Sequence, residues 1–194
     1  GRQRTLSLGV ADHLAIHFVP SWLPGIQTFL GDRKIQLVTG LKAGLGFIEL
    51  LKAQDLDFLL AYGGSVSSGD HDSAMFESII LGEDELLPVC KTELRADPTY
   101  HFPAKPENPV PYIGYMPASA MANLVNHESV LHTDSIHLKP IIETGTVETI
   151  KALVLKGFGM AWLPRTAIVE ELRFGSIREL GAAAHRISFT IELF

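Results

Sequence analysis

The chain has 194 residues, 46% hydrophobic and 20% charged, enough to bury a core in one large domain or two small lobes. Its 16 basic and 22 acidic residues leave a formal charge of −6, a sign that repels phosphate backbones and argues against DNA binding by this segment alone. The single cysteine, Cys90, excludes an internal disulfide and fits a cytoplasmic setting, and no apolar run approaches the roughly 18 residues that span a bilayer.

Residues 4–10 (RTLSLGV) alternate as a strand does. Helical residues follow over 14–30, with an irregular start around Pro20. Next come strand 34–39, helix 44–54 and strand 57–62, a βαβαβ order that implies a parallel sheet with right-handed crossovers. Residues 63–73 form a Gly-, Ser- and Asp-rich loop. Two extended pieces, 75–81 and 85–91, lead into a proline-rich, irregular stretch at 95–111. A second alternating set begins with strand 110–116, helix 119–131, strand 138–144 and helix 146–156. Strand 159–163, helix 164–173 and strands 177–180 and 186–193 complete it. The start, GRQRTLSLGV, has neither the apolar core nor the cleavage pattern of a signal peptide. Both ends read as trimmed, as if a domain had been taken from a longer protein.

Gly157-Phe158-Gly159 looks at first like the start of a nucleotide-binding turn. Such a turn needs a strand, three glycines and then a helix, so that the backbone can approach a pyrophosphate. Here the third glycine position holds Trp162, and the order is reversed. Ile150, Leu153 and Val154 recur at helical spacing before the glycines, so Gly157 reads as a helix stop and 159–163 as a buried strand.

The sequences 153-LVLKGFGMAWLP-164 and 175-GSIREL-180 resemble the C-terminal half of the effector-binding domain of LysR-type transcriptional regulators. In the N-terminal half, 19-VPSWLPGIQTF-29 and 54-QDLDFLLAY-62 are similar to that family's motifs, and the resemblance covers essentially the whole chain. It implies an α/β fold of the type-2 periplasmic-binding-protein kind, with parallel-dominated sheets, two lobes and a cleft. Lobe I would comprise 1–86 and 185–194, lobe II 87–184, with crossing strands near 85–90 and 184–190 as the hinge. The family's DNA-binding helix-turn-helix would precede this segment, so DNA would be met only through that N-terminal domain. The resemblance further implies a homodimer or tetramer, with the solvent-facing sides of helices 14–30 and 119–131 as candidate surfaces. The pairing of 86-LLPVC-90 with GMAWLP is similar to regulators that respond to hypochlorite.

In open parallel sheets, ligands bind outside the carboxyl ends of the strands. Those ends are 11–13, 39–41, 61–64, 115–120 and 144–148. The candidate effector-binding residues are therefore Asp12, His13, Thr39, Tyr62, Tyr115, Met116, Ser119, Thr144 and Thr146, with Met160 shaping the wall. Hydroxyls, glycines and free helix N-termini suit a small polar or anionic metabolite. Asp12 argues against a purely anionic one and could hold an ammonium group. Each residue also has a plainer role: Ser119, Thr144 and Thr146 as helix caps, and Gly40, Gly63 and Gly145 as turn residues.

His13 and His17 stand four apart, as metal ligands on one helix face do, but a hydrogen-bonded pair fits better because no third ligand is evident nearby except Asp12. The set His127, His132, Asp134 and His137 is irregularly spaced and reads as a solvated helix end with its loop. No metal or cofactor is expected. Cys90 follows an apolar run and reads as a small buried hydrophobe, whereas Met116, Met121 and Met160 lie in or near the expected cleft and Met75 in strand packing. No nucleophile elbow, Cys–His pair or phosphate loop marks an enzyme. Two alternatives stand beside the sensor reading: a solute-binding protein of a transport system, and a regulator acting through methionine oxidation.

Overall fold

The structure is a computed structural model describing residues 5–40, 45–63, 76–117, 119–127 and 136–194. Its elements begin β1 (Leu6–Val10), α1 (Asp12–His17), α2 (Val19–Leu30), β2 (Ile35–Val38), α3 (Leu45–Lys52) and β3 (Phe58–Tyr62). They continue with β4 (Ile79–Lys91), β5 (Val110–Tyr115), α4 (Ala120–His127), β6 (Leu138–Thr144) and α5 (Val147–Leu155). β7 (Ala161–Pro164), α6 (Val169–Phe174), β8 (Ile177–Glu179) and β9 (Ile187–Leu193) finish the chain. Two compact units result, Gly1–Glu83 with Thr190–Phe194, and Asp84–Phe189. The chain passes from one to the other within β4 and again within β9.

In the first unit β1 is the inner strand. It pairs in parallel with β2 (Leu6 opposite Ile35) and with β3 (Leu8 opposite Phe58). β9 then adds antiparallel to β3, Leu193 facing Leu60. Parallel pairing forces each connection to cross back over the sheet, which α1–α2 and α3 do. Val10, Leu14, Val19 and Leu60 are removed from solvent, and Phe47, Leu51, Leu56 and Leu59 form a second apolar cluster. The expected single helix over 14–30 is two helices that break at Phe18. Pro20 has no N–H to continue the ladder from α1, so it opens a new helix at its second position instead.

In the second unit β5 and β6 pair in parallel, with a register shift between Tyr112 and Ile113. Pro140, opposite Tyr112, lacks the N–H a regular ladder would require there. β4 pairs antiparallel with both β7 and β8. The two extended pieces expected at 75–81 and 85–91 include one continuous strand, because the polar stretch Gly82–Glu85 is carried within β4; residues 64–75, Met75 included, lie outside the described residues. The helix expected over 164–173 is a short 3₁₀ turn at Arg165–Ala167 and then α6, divided at Ile168.

Gly157 and Gly159 have separate structural tasks. Gly157, at φ +80°, ends α5 in the left-handed conformation. A Cβ on Gly159 would lie 2.8 Å from the Pro111 carbonyl oxygen. Its absence lets the next residue, Met160, bond to Pro111 and Ile113 through its backbone at 2.9 Å each. The chain thereby enters β7 against β5.

Trp162 on β7 is fully buried at the centre of this unit. Its indole N–H donates to the His185 carbonyl at 2.9 Å, and the rings of Tyr112 and Phe102 meet it edge-on at 5.8 and 5.9 Å. Lys151 of α5 forms an ion pair with Glu171 of α6 at 2.7 Å and donates to the Ala167 carbonyl at 2.8 Å. These contacts tie both helices to the segment that follows β7. Among the described residues no helix is long and apolar enough to cross a membrane.

Candidate functional site

The carboxyl ends of the parallel strands carry most of the residues singled out from the sequence, and each unit has its own group. In the first unit, β1 ends at Val10 and α1 begins at Asp12. The Asp12 carboxylate accepts a 2.9 Å hydrogen bond from the backbone N–H of Gly40, just beyond β2. That bond joins the loops after two neighbouring strands and sets exposed Thr39 beside the start of α1. His13 is buried, 4% exposed, and its ring stacks on Tyr62 at the end of β3 with centroids 6.4 Å apart. His17, one turn further along, lies 5.1 Å from His13 between ring centroids. Burial lowers the His13 pKa to about 3, with the nearby His17 adding to the effect, so the ring is neutral near pH 7.

In the second unit, Tyr115 ends β5, and its hydroxyl donates to the Trp162 carbonyl at 2.9 Å from a buried ring. The Met116 N–H donates to the Thr144 carbonyl at 3.0 Å, which holds the carboxyl ends of β5 and β6 side by side. The Met116 side chain is half exposed and its sulfur lies next to Gly145. The Ser119 hydroxyl accepts from the Ala122 N–H at 3.1 Å and Thr146 accepts from the Thr149 N–H at 3.3 Å. They cap the starts of α4 and α5, meeting donors those helices cannot satisfy internally. Met116, Ser119, Thr144 and Thr146 therefore gather at one edge of the β5–β6 pair. Met160 is not with them. It is fully buried, bonded to backbone near the amino end of β5.

A polar group absent from the sequence reading stands at the end of β3. The Glu192 carboxylate accepts from the Ser78 hydroxyl at 2.9 Å and from the Thr190 hydroxyl at 2.8 Å, beside Gly63. Thr190 and Glu192 share a face of β9 by the period-two rule. Only the antiparallel register of β9 on β3 brings that face to Gly63. His132 and Asp134 lie outside the described residues. Cys90 is buried, and loss of solvent pushes its thiol up to about 11, so little thiolate is present near pH 7.

The family model for the LysR substrate binding domain matches residues 1–194. The chain belongs to that family. Its fold is the two-lobed α/β fold of the periplasmic-binding-protein kind. This LysR domain is 31% identical over 104 residues to the HTH-type transcriptional regulator YjiE of Escherichia coli K12, a stretch covering 54% of the chain and 33% of that regulator. The match thus spans about a third of its relative. Among solved structures, full-length HypT of Salmonella typhimurium, a hypochlorite-specific LysR-type regulator, superposes with a TM-score of 0.77 at 21% identity, covering 100% of this LysR domain and 62% of that chain. DarR of Vibrio fischeri, solved with DNA, gives 0.74 at 25% identity, covering 100% and 62%.

Proposed function

We propose that this LysR domain is the sensing part of a cytoplasmic transcription regulator: it binds a small molecule and does no chemistry on it. The observation that carries the reading is the gathering of Met116, Ser119, Thr144 and Thr146 at the carboxyl edge of β5–β6, where the starts of α4 and α5 meet the strand ends. DNA would be engaged by a separate helix-turn-helix domain, as the name of the E. coli relative suggests. The regulator would work as a homodimer or tetramer. Phe29 of α2 (84% exposed), Leu37 of β2 and Ile141 of β6 offer apolar surface suited to a second copy. An effector shifts such a regulator between states only by its differential affinity for them. A near-complete switch takes about 5 kcal/mol, which a few hydrogen bonds at roughly 1 kcal/mol each, more where charged, can supply.

The test is a thermal-shift screen of metabolites against the 194-residue chain, followed by calorimetry on the hits. Ser119→Ala and Thr144→Val are expected to weaken a hit by about three- to tenfold each. Glu170→Gln and Arg173→Ala, on α6, should leave its affinity unchanged. Equal binding by all four variants would remove the site from the β5–β6 edge.

A second reading rests on Met116. Among the described methionines Met116 is 50% exposed, while Met121 and Met160 are buried. Hypochlorous acid would transfer its oxygen to the sulfur, giving the sulfoxide and releasing chloride and a proton. Under limiting hypochlorite, peptide mass spectrometry should find the sulfoxide at Met116 before Met121 and Met160. Oxidation of the buried pair first would end this reading.

A further inference from the structure

α1 carries two histidines, His13 and His17, four positions apart, where side chains on a helix lie one above the other. From spacing alone they read as a hydrogen-bonded pair, but their folded geometry goes further. The ring centroids are 5.1 Å apart and the ring planes tilt by 36°. One nitrogen of each ring lies within 4.8 Å of one on the other. Two nitrogens bound to one zinc ion at about 2.0–2.1 Å each stand no more than about 4.2 Å apart, so a small rotation of one ring closes the pair on a shared ion. His17 is the ring able to make it. His13 is 4% exposed and stacked on Tyr62, whereas His17, the last residue of α1, is only partly buried. Metal ligation also needs a deprotonated imidazole. Burial already supplies one in His13, and His17 further opposes its protonation. Packing accounts for His13 on Tyr62, but it does not call for a second imidazole beside it.

We propose that His13 and His17 form a two-histidine site on α1, within the first unit, for a divalent transition-metal ion of the zinc, nickel or copper class. Imidazole suits these ions, whereas magnesium and calcium prefer oxygen ligands. Two protein ligands are fewer than the four of a structural zinc site or the three of a catalytic one. Water fills the other positions, and the ion exchanges with its surroundings instead of holding the fold together. An ion shared by His13 and His17 ties the two ends of this six-residue helix to each other. Only Ala11 separates α1 from β1, so occupancy bears directly on the carboxyl end of that strand. The site adds to the effector-binding reading and does not depend on it.

The experiment is a calorimetric titration of the 194-residue chain, stripped with EDTA and then freed of it, with zinc and nickel chlorides and with magnesium and calcium beside them. The expected result is that the tightest zinc or nickel site takes one ion per chain and that the ion raises the thermal-unfolding midpoint, because a ligand of the folded state stabilises it. Magnesium and calcium should do neither. His17→Ala, the more conservative His17→Gln and His13→Gln should each weaken zinc binding by about tenfold or more, at least the cost of disturbing an outer partner of a metal ligand. His17 decides the matter, since it is only partly buried and its variants should keep the native urea midpoint without added metal. Alanine at His127, His132 and His137 together should leave zinc affinity unchanged. Zinc binding that is absent, or indifferent to both His17 variants, would overturn the proposal. Loss of binding in the triple variant would overturn it too, by moving the ion to the 127–137 stretch. None of these outcomes bears on Ser119 or Thr144, so the effector-binding reading stands or falls by its own test.

Discussion

Trp162→Ala is expected to destabilise the domain by about 3–5 kcal/mol, the cost typical of emptying a buried aromatic position. The side chain has no exposed surface, contacts two aromatic rings edge-on and donates to the His185 carbonyl. Alanine leaves a cavity and deprives that carbonyl of its donor, and both effects act in the same direction. For a domain with a typical 5–15 kcal/mol of stability, the loss is a large share. Urea unfolding of the two proteins measures it. Trp162→Phe separates the contributions, because it retains most of the ring volume but not the indole N–H. A loss below about 1 kcal/mol in the alanine variant would mean that the surrounding residues close the cavity, as some sites can.

The second large effect is a dependence on acid. The ordinary histidine value is 6.5, and burial, reinforced by the charge of His17, lowers His13 to about 3. Below pH 6.5 the unfolded chain takes up a proton at this position that the folded protein refuses. The contribution of neutral His13 is therefore complete above 6.5 and is lost as pH falls from there toward 3. The rate of loss approaches about 1.4 kcal/mol per pH unit, so the whole interval amounts to several kcal/mol. Unfolding midpoints measured between about pH 7 and pH 5 should fall steeply for the native chain and less steeply for His13→Gln. Equal slopes would show that the His13 site opens to water before the proton arrives.

Local patterns carried much of this architecture. The helical spacing of Ile150 and Val154, the stop at Gly157 and the alternation along 186–193 each depend on residues close together in the chain, and each element is present. The break at Phe18 was harder to read, because apolar spacing continues through it and only the missing N–H of Pro20 interrupts the ladder. The turn-like composition of Gly82–Glu85 divides this stretch into two pieces in sequence, yet β4 runs without a break from Ile79 to Lys91, with β9 as a neighbouring strand. Positions at strand ends could be found from the order of elements alone, and Asp12, Thr39, Met116, Ser119 and Thr144 do lie there. Partners across the sheet could not. Asp12 and Gly40 are 28 residues apart, Ser78 and Glu192 are 114 apart, and both bonds depend on register. Met160 illustrates the same limit from the other side, since a methionine near a strand end in sequence lies against the backbone of Pro111 and Ile113.

The chain has two tryptophans, and they divide between the units, Trp22 in α2 of the first and Trp162 in β7 of the second. Each unit thus carries its own fluorophore. Trp22 is partly open to solvent, whereas Trp162 is enclosed by aromatic rings with its N–H bonded. Their emission therefore reports two different surroundings. Trp22→Phe leaves tryptophan emission from the second unit alone, and Trp162→Phe, which keeps most of the ring volume, leaves that of the first. Optical spectroscopy on this unlabelled protein can then follow either unit separately during unfolding or during the arrival of a small molecule.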